Sequence, residues 1–117
     1  MMNPEVKAKW VTALRSGEYE QGRGHLKAGD AFCCLGVLCD LYAQEHGVEF
    51  DSHLYHEESE ELPASNVVDW AGLAFNDPKL HIDGDKTWVS GHNDGGDNGR
   101  VRPKTFAEIA DAIEEQL

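Results

Sequence analysis

Phe32 to Tyr42, FCCLGVLCDLY, decides the fold, because it is the one long run of the chain in which apolar residues dominate. Phe32, Leu35, Cys39, Tyr42 and His46 recur at helical spacing, while Cys34, Leu38 and Leu41 widen the stripe until little of the first two turns is polar. A helix apolar over most of its circumference is buried by its neighbours, so the segment reads as a central helix over residues 31–46. Asp30 is the expected N-cap, and Gly47 the left-handed residue that ends the helix. Gly36 in the interior costs about 1 kcal/mol relative to alanine, which predicts another backbone crossing close over that face. A buried strand through Phe32 to Cys39 is the alternative reading, since short apolar runs do not separate the two.

Toward the N-terminus, Asn3 followed by Pro4 is an N-cap and an N1 proline, and Val6, Trp10 and Leu14 give one apolar stripe that ends at Ser16-Gly17. Tyr19 to Lys27 reads as two short polar strands about a Gly22-Arg23-Gly24 turn. Toward the C-terminus, Val48 and Phe50 suggest a brief strand before an acidic loop at Glu57, Glu58, Glu60 and Glu61. Pro63 and Gly72 bracket a third helix with Val67, Trp70 and Ala71 facing inward. Leu80, Ile82, Thr87 and Val89 belong to a second hairpin about Asp83-Gly84-Asp85, followed by a glycine-rich connector, GHNDGGDNG. Thr105 and Glu108 form a capping box ahead of Phe106, Ile109, Ala110, Ile113 and Leu117. The fold class is α+β: four helices around the central one, and two β-hairpins able to share one small antiparallel sheet.

A chain of 117 residues is expected to form a single domain, 1–117, large enough for a modest core without a disulfide or metal staple. Three cysteines, an odd number within one helix, cannot make a disulfide framework and read as small, reduced core residues. There is no apolar run of membrane-spanning length and no signal-peptide pattern at the start, so a cytoplasmic location, in a host cell, is expected. The net charge of −12 is uneven: residues 41–117 hold seventeen acidic and five basic side chains, against five of each in residues 1–40. That field repels nucleic acid and anionic membranes. Basic residues nevertheless cluster as Arg15, Arg23 and Lys27, and as Arg100, Arg102 and Lys104.

Taken together, WVTALRSGEYEQGRG (10–24), FCCLGVLCDLY (32–42) and TFAEIADAIEEQL (105–117) resemble an uncharacterised family of small proteins encoded by tailed bacteriophages and prophages. The resemblance implies a phage accessory gene, with host takeover or counter-defence as its context, and carries no activity, cofactor or catalytic residue with it.

No nucleotide-hydrolase P-loop, dinucleotide fingerprint, zincin motif or nucleophile elbow occurs. Asp83, Asp85, Asp94 and Asp97, with His81 and His92, look superficially like a cation site. A calcium loop begun at Asp83 needs glycine at its sixth position and glutamate at its twelfth, where the chain has Trp88 and Asp94; turn chemistry accounts for these residues. His53-x-x-His56 lacks a third ligand at a familiar interval. Cys33 or Cys34, at a helix N-terminus, has half of the setting a nucleophile needs but no nominated base. No catalytic residue, metal or cofactor is therefore expected. The expected function is a non-enzymatic binding protein that sequesters a small, anionic, nucleotide-like host signal among Arg15, Arg23, Lys27, Trp88, Asn93 and Arg102. Guanidinium donors would hold phosphate and the indole a base. The alternatives are an acidic mimic of nucleic acid that occupies a host defence protein, and a small enzyme without a recognised motif. Oligomeric state is not specified by the sequence.

Overall fold

The first helix begins where the Asn-Pro pair places it. In a computed structural model, which describes residues 2–56, 59–96 and 100–117, α1 spans Pro4–Arg15 and the Asn3 side chain accepts the Glu5 N–H at 3.0 Å. Val6, Trp10, Val11 and Leu14 are buried along it. That helix packs against the C-terminal helix α5, Phe106–Gln116. The capping box of α5 is formed as expected: Thr105 Oγ1 accepts the Glu108 N–H, and the Glu108 carboxylate accepts the Thr105 N–H.

The central helix, α2, spans Cys34–His46 and is buried around its first two turns, from Cys34 through Cys39. It ends on Gly47 at φ 64°, as read from the sequence. Its start lies later than Asp30, because Ala31–Phe32 is drawn out as strand β3. Cys33 is then the N-cap, and its sulfur accepts the Gly36 N–H at 3.3 Å. The close backbone crossing predicted over Gly36 is Leu26: a Cβ at Gly36 would sit 2.6 Å from the Leu26 carbonyl carbon and nearer still to its oxygen.

Strand pairing departs from the expected hairpins. β1 (Glu20–Gln21) and β2 (Lys27–Ala28) do not pair with each other; both flank β3, β1 in parallel and β2 antiparallel. Val48 and Phe50 form no strand, and Phe50 instead meets the Phe32 and Tyr55 rings edge-on. β4 (Tyr55–His56) pairs with β5 (Ser59–Pro63), so part of the acidic run is a strand. Glu57 and Glu58 lie outside the described residues. Pro63 closes β5 rather than opening α3, Ser65–Ala71, in which Val67 and Ala71 are buried and Trp70 sits half-buried at the rim.

The second hairpin is formed, β6 (Lys79–Ile82) with β7 (Asp85–Trp88). Both turn residues, Asp83 and Gly84, have positive φ, 53° and 85°, the geometry whose twist suits a two-residue hairpin loop. Val89 does not extend β7. It opens a short helix, α4 (Val89–Asp94), where a loop was expected. The three small sheets remain separate, so the molecule is α+β with five α-helices among the described residues, and no sheet is shared between the hairpins.

Candidate functional site

The six residues singled out by sequence fall into three environments. Asn93, on α4, is fully buried and used in packing. Its carboxamide oxygen accepts the Cys34 N–H (3.1 Å) and the Gln21 side-chain N–H (3.0 Å), and its amide donates to the Gly22 carbonyl (2.8 Å) and to Asp94 (2.8 Å). Asp94 in turn accepts the Gly24 N–H at 3.0 Å, which needs the positive φ of 86° that glycine supplies there. Asn93 and Asp94 thus tie the Gly22-Arg23-Gly24 loop, the start of α2 and α4 into one node. Cooperative networks of this kind are costly to leave half-satisfied.

The cationic candidates are dispersed and mostly engaged. Arg15 bridges α1 to α5 through Asp111 (2.6 Å) and Glu114 (2.9 Å). Arg102 pairs with Glu108 (2.8 Å) and Asp83 (3.0 Å), and the guanidinium holds the Glu108 carboxyl down at about 2. Lys27 places its ammonium 5.4 Å from the centroids of both Phe32 and Phe50. Arg23 is exposed and makes no ion pair among the described residues. Lys104 is fully buried; its ammonium donates to Asp85 at 2.8 Å and to the Arg102 carbonyl at 2.7 Å, which lowers the Asp85 carboxyl.

Trp88 is different. Trp88 is 49% exposed and Phe75 is 68% exposed. With Leu62, Asn76, Asp77 and Lys79 they line a largely apolar cleft of ≈ 630 Å³ between β5 and the β6–β7 hairpin. The Lys79 ammonium stands 4.5 Å from the Trp88 ring centroid. At the cleft, Asp77 accepts from the Ser90 N–H (3.0 Å) and hydroxyl (2.5 Å) at the start of α4, and burial raises its carboxyl above the ordinary range. Of the six sequence candidates only Trp88 lines this cleft. Phe75, Lys79, Leu62 and Asp77 were not singled out; the signal was Phe75 itself, an aromatic followed by the polar turn-type run Asn76-Asp77-Pro78.

The aspartate and histidine group is taken apart by the fold. Asp83 and Asp85 face Arg102 and Lys104, Asp94 holds the Gly24 amide, His92 is buried with Nε2 on the Leu80 carbonyl at 2.8 Å, and Asp97 lies outside the described residues. Among the described residues no three metal-type side chains converge. His53 pairs with Asp51 at 3.0 Å. All three cysteines are buried. Burial pushes Cys33 up to about 12 and raises Cys34 and Cys39 as well, the opposite of what activates a thiol.

Fold and surface together define a small α+β domain with Trp88 and Phe75 exposed at an apolar cleft, and no helix among the described residues is long and apolar enough to cross a membrane. The chain belongs to the family described as a domain of unknown function, DUF8296, whose model matches residues 2–117. Comparison with curated proteins and with solved structures finds no significant match.

Proposed function

We propose that this chain is a non-enzymatic binding protein that holds a small, planar, anionic ligand of nucleotide type at the Trp88 cleft. The observation that carries the reading is the exposed indole beside a lysine ammonium at the mouth of an apolar cleft. An indole face stacks on a base, with about 1–3 kcal/mol typical of base–aromatic stacking, and Lys79 supplies the counter-charge to phosphate as a point charge. Asp77 and Asn76 at the cleft offer acceptors to an exocyclic base amine. Arg15 and Arg102 carry less of this reading, because each is already paired with two carboxylates. The inert, buried thiols favour binding over catalysis. The sequence resemblance adds the biological setting, a phage accessory protein that withdraws a host signal in counter-defence.

The test is calorimetric titration with a panel of nucleoside mono-, di- and cyclic phosphates. Binding is expected, with loss in Trp88→Ala, about tenfold weakening in Lys79→Ala for the phosphorylated members, and little change in Arg15→Ala. Equal affinity of the wild type and Trp88→Ala for a bound nucleotide, or no heat with any member, overturns the proposal.

A further inference from the structure

The two edges of the β6–β7 hairpin are finished differently. On β6 the outward backbone groups of His81 are occupied by one side chain: Gln116 of α5 accepts the His81 N–H at 2.9 Å and donates to the His81 carbonyl at 2.8 Å. A carboxamide there copies the pair of bonds a neighbouring strand would make. This also fixes the phase of the ladder. His81 pairs with Lys86 and Lys79 with Trp88; since the His81 groups point away from β7, these are the non-hydrogen-bonded pairs, and Val89 N–H to the Pro78 carbonyl at 2.8 Å continues the alternate, bonded set. The Lys86 N–H and C=O and the Trp88 N–H therefore face away from β6. Among the described residues none of them has a hydrogen-bond partner. An edge of this kind is a template for pairing with another chain.

The side chains on the same hairpin indicate what pairs there. Lys79, His81, Lys86 and Trp88 alternate with the buried Leu80 and Ile82 and are all exposed. They make a basic, aromatic face on a protein of net charge −12. A second copy of this chain would bring like charges together, Lys86 against its own counterpart and one acidic molecule against another. An acidic strand meets attraction here and repulsion over much of the remaining surface. We infer that the outer edge of β7 receives an extended segment of another protein as an added strand, one that carries an acidic and an apolar residue two positions apart, so that both share the face of Lys86 and Trp88. The backbone bonds of Lys86 supply the docking, the lysines select the acidic residues, and Trp88 with Phe75 receives an apolar side chain. This goes beyond the small-ligand reading and shares only Trp88 and its cleft with it: a nucleotide is indifferent to the Lys86 amide, and a strand is not.

The experiment is amide hydrogen exchange by NMR on the intact chain, with and without a synthetic array of hexapeptides that place glutamate and one of valine, leucine or phenylalanine two residues apart, with threonine between them. Members that bind are expected to slow exchange at the Lys86 and Trp88 amides selectively. Lys86→Pro removes the outward N–H without touching the bonded ladder to β6, so it is expected to abolish binding, whereas Lys86→Ala weakens it only about threefold, as for loss of one exposed charge. Methylating the peptide amides that face β7 is expected to abolish binding too, and leaves the protein itself unaltered. The inference is overturned if no array member slows those amides, if the methylated peptides bind as well as their parents, or if the same amides become protected on concentrating the protein alone.

Discussion

Asn93 illustrates how a residue that resists a folding explanation from sequence obtains one from tertiary contact. Its four bonds reach the Gln21 side chain, the Gly22 carbonyl, the Cys34 N–H and the neighbouring Asp94, and three of those partners lie far away in the chain. Asn93→Ala leaves the Cys34 N–H and Gly22 carbonyl unpaired in the interior, and each such group costs about 1–3 kcal/mol. A loss of about 3 kcal/mol in urea unfolding is expected, with the melting transition still cooperative. Gly36, by contrast, was readable: an interior glycine implied a crossing backbone, and Leu26 is that backbone. The cysteines make a second prediction at this scale. Their thiols are raised by burial, so the unfolded chain ionises first. Stability is fully present below the ordinary thiol pKa of about 8.5 and declines as pH rises from there toward the folded value of about 12 for Cys33. Alkaline denaturation profiles should shift upward in Cys33→Ser, once its cavity and polarity cost at neutral pH is subtracted; an unchanged alkaline slope contradicts the assignment. Iodoacetamide should label Cys39 slowly in the native state, at a rate set by opening of the fold.

Helices whose stripes and caps are local were legible element by element. α1, α5, the C-terminus of α2 and the Asp83-Gly84 turn follow from neighbouring residues. The departures have a common cause. β1, β2 and β3 are two residues each, too short for an alternation pattern, and their pairing is decided by packing beneath α2. α4 is only six residues, VSGHND, with no apolar stripe of its own, and the Ser90 N–H in its first turn is satisfied from outside by Asp77. Asp77→Ala is therefore expected to cost about 1 kcal/mol, the usual worth of an N-cap, and to speed exchange of α4 amides ahead of α5 amides. The start of α5 depends on charge as well as on its cap. Glu108 is lowered to about 2 by Arg102 and by the Thr105 N–H, so its contribution is present above the ordinary carboxylate range and is lost as pH falls through about 2. Glu108→Gln should flatten the acid limb of the stability profile, and an identical limb in the variant contradicts the linkage.

At the scale of the molecule, the acidic excess and the burial of the apolar run were both visible in the sequence, but of the cleft only Trp88 was. The basic clusters stood out by composition, yet Arg15 and Arg102 serve as exposed ties to α5, and solvent-screened pairs of that kind add little to stability. Arg15→Ala should accordingly leave the urea-unfolding midpoint nearly unchanged, and a large fall in that midpoint contradicts this. The cleft assembles from β5, the Phe75 segment and the β6–β7 hairpin, three parts that no local pattern joins. Because no three metal-type side chains converge among the described residues, and Asp83, Asp85 and Asp94 face cations or a backbone amide, chelation is expected to leave the melting temperature unchanged, and a fall reversed by one specific cation contradicts this. The most direct test of the central claim, that recognition resides at Trp88, is a tryptophan fluorescence titration with nucleotides. Trp10 is buried and Trp88 is half-exposed, so quenching on binding should disappear in Trp88→Phe and persist in Trp70→Phe. Quenching that survives in Trp88→Phe places the ligand elsewhere and contradicts the account.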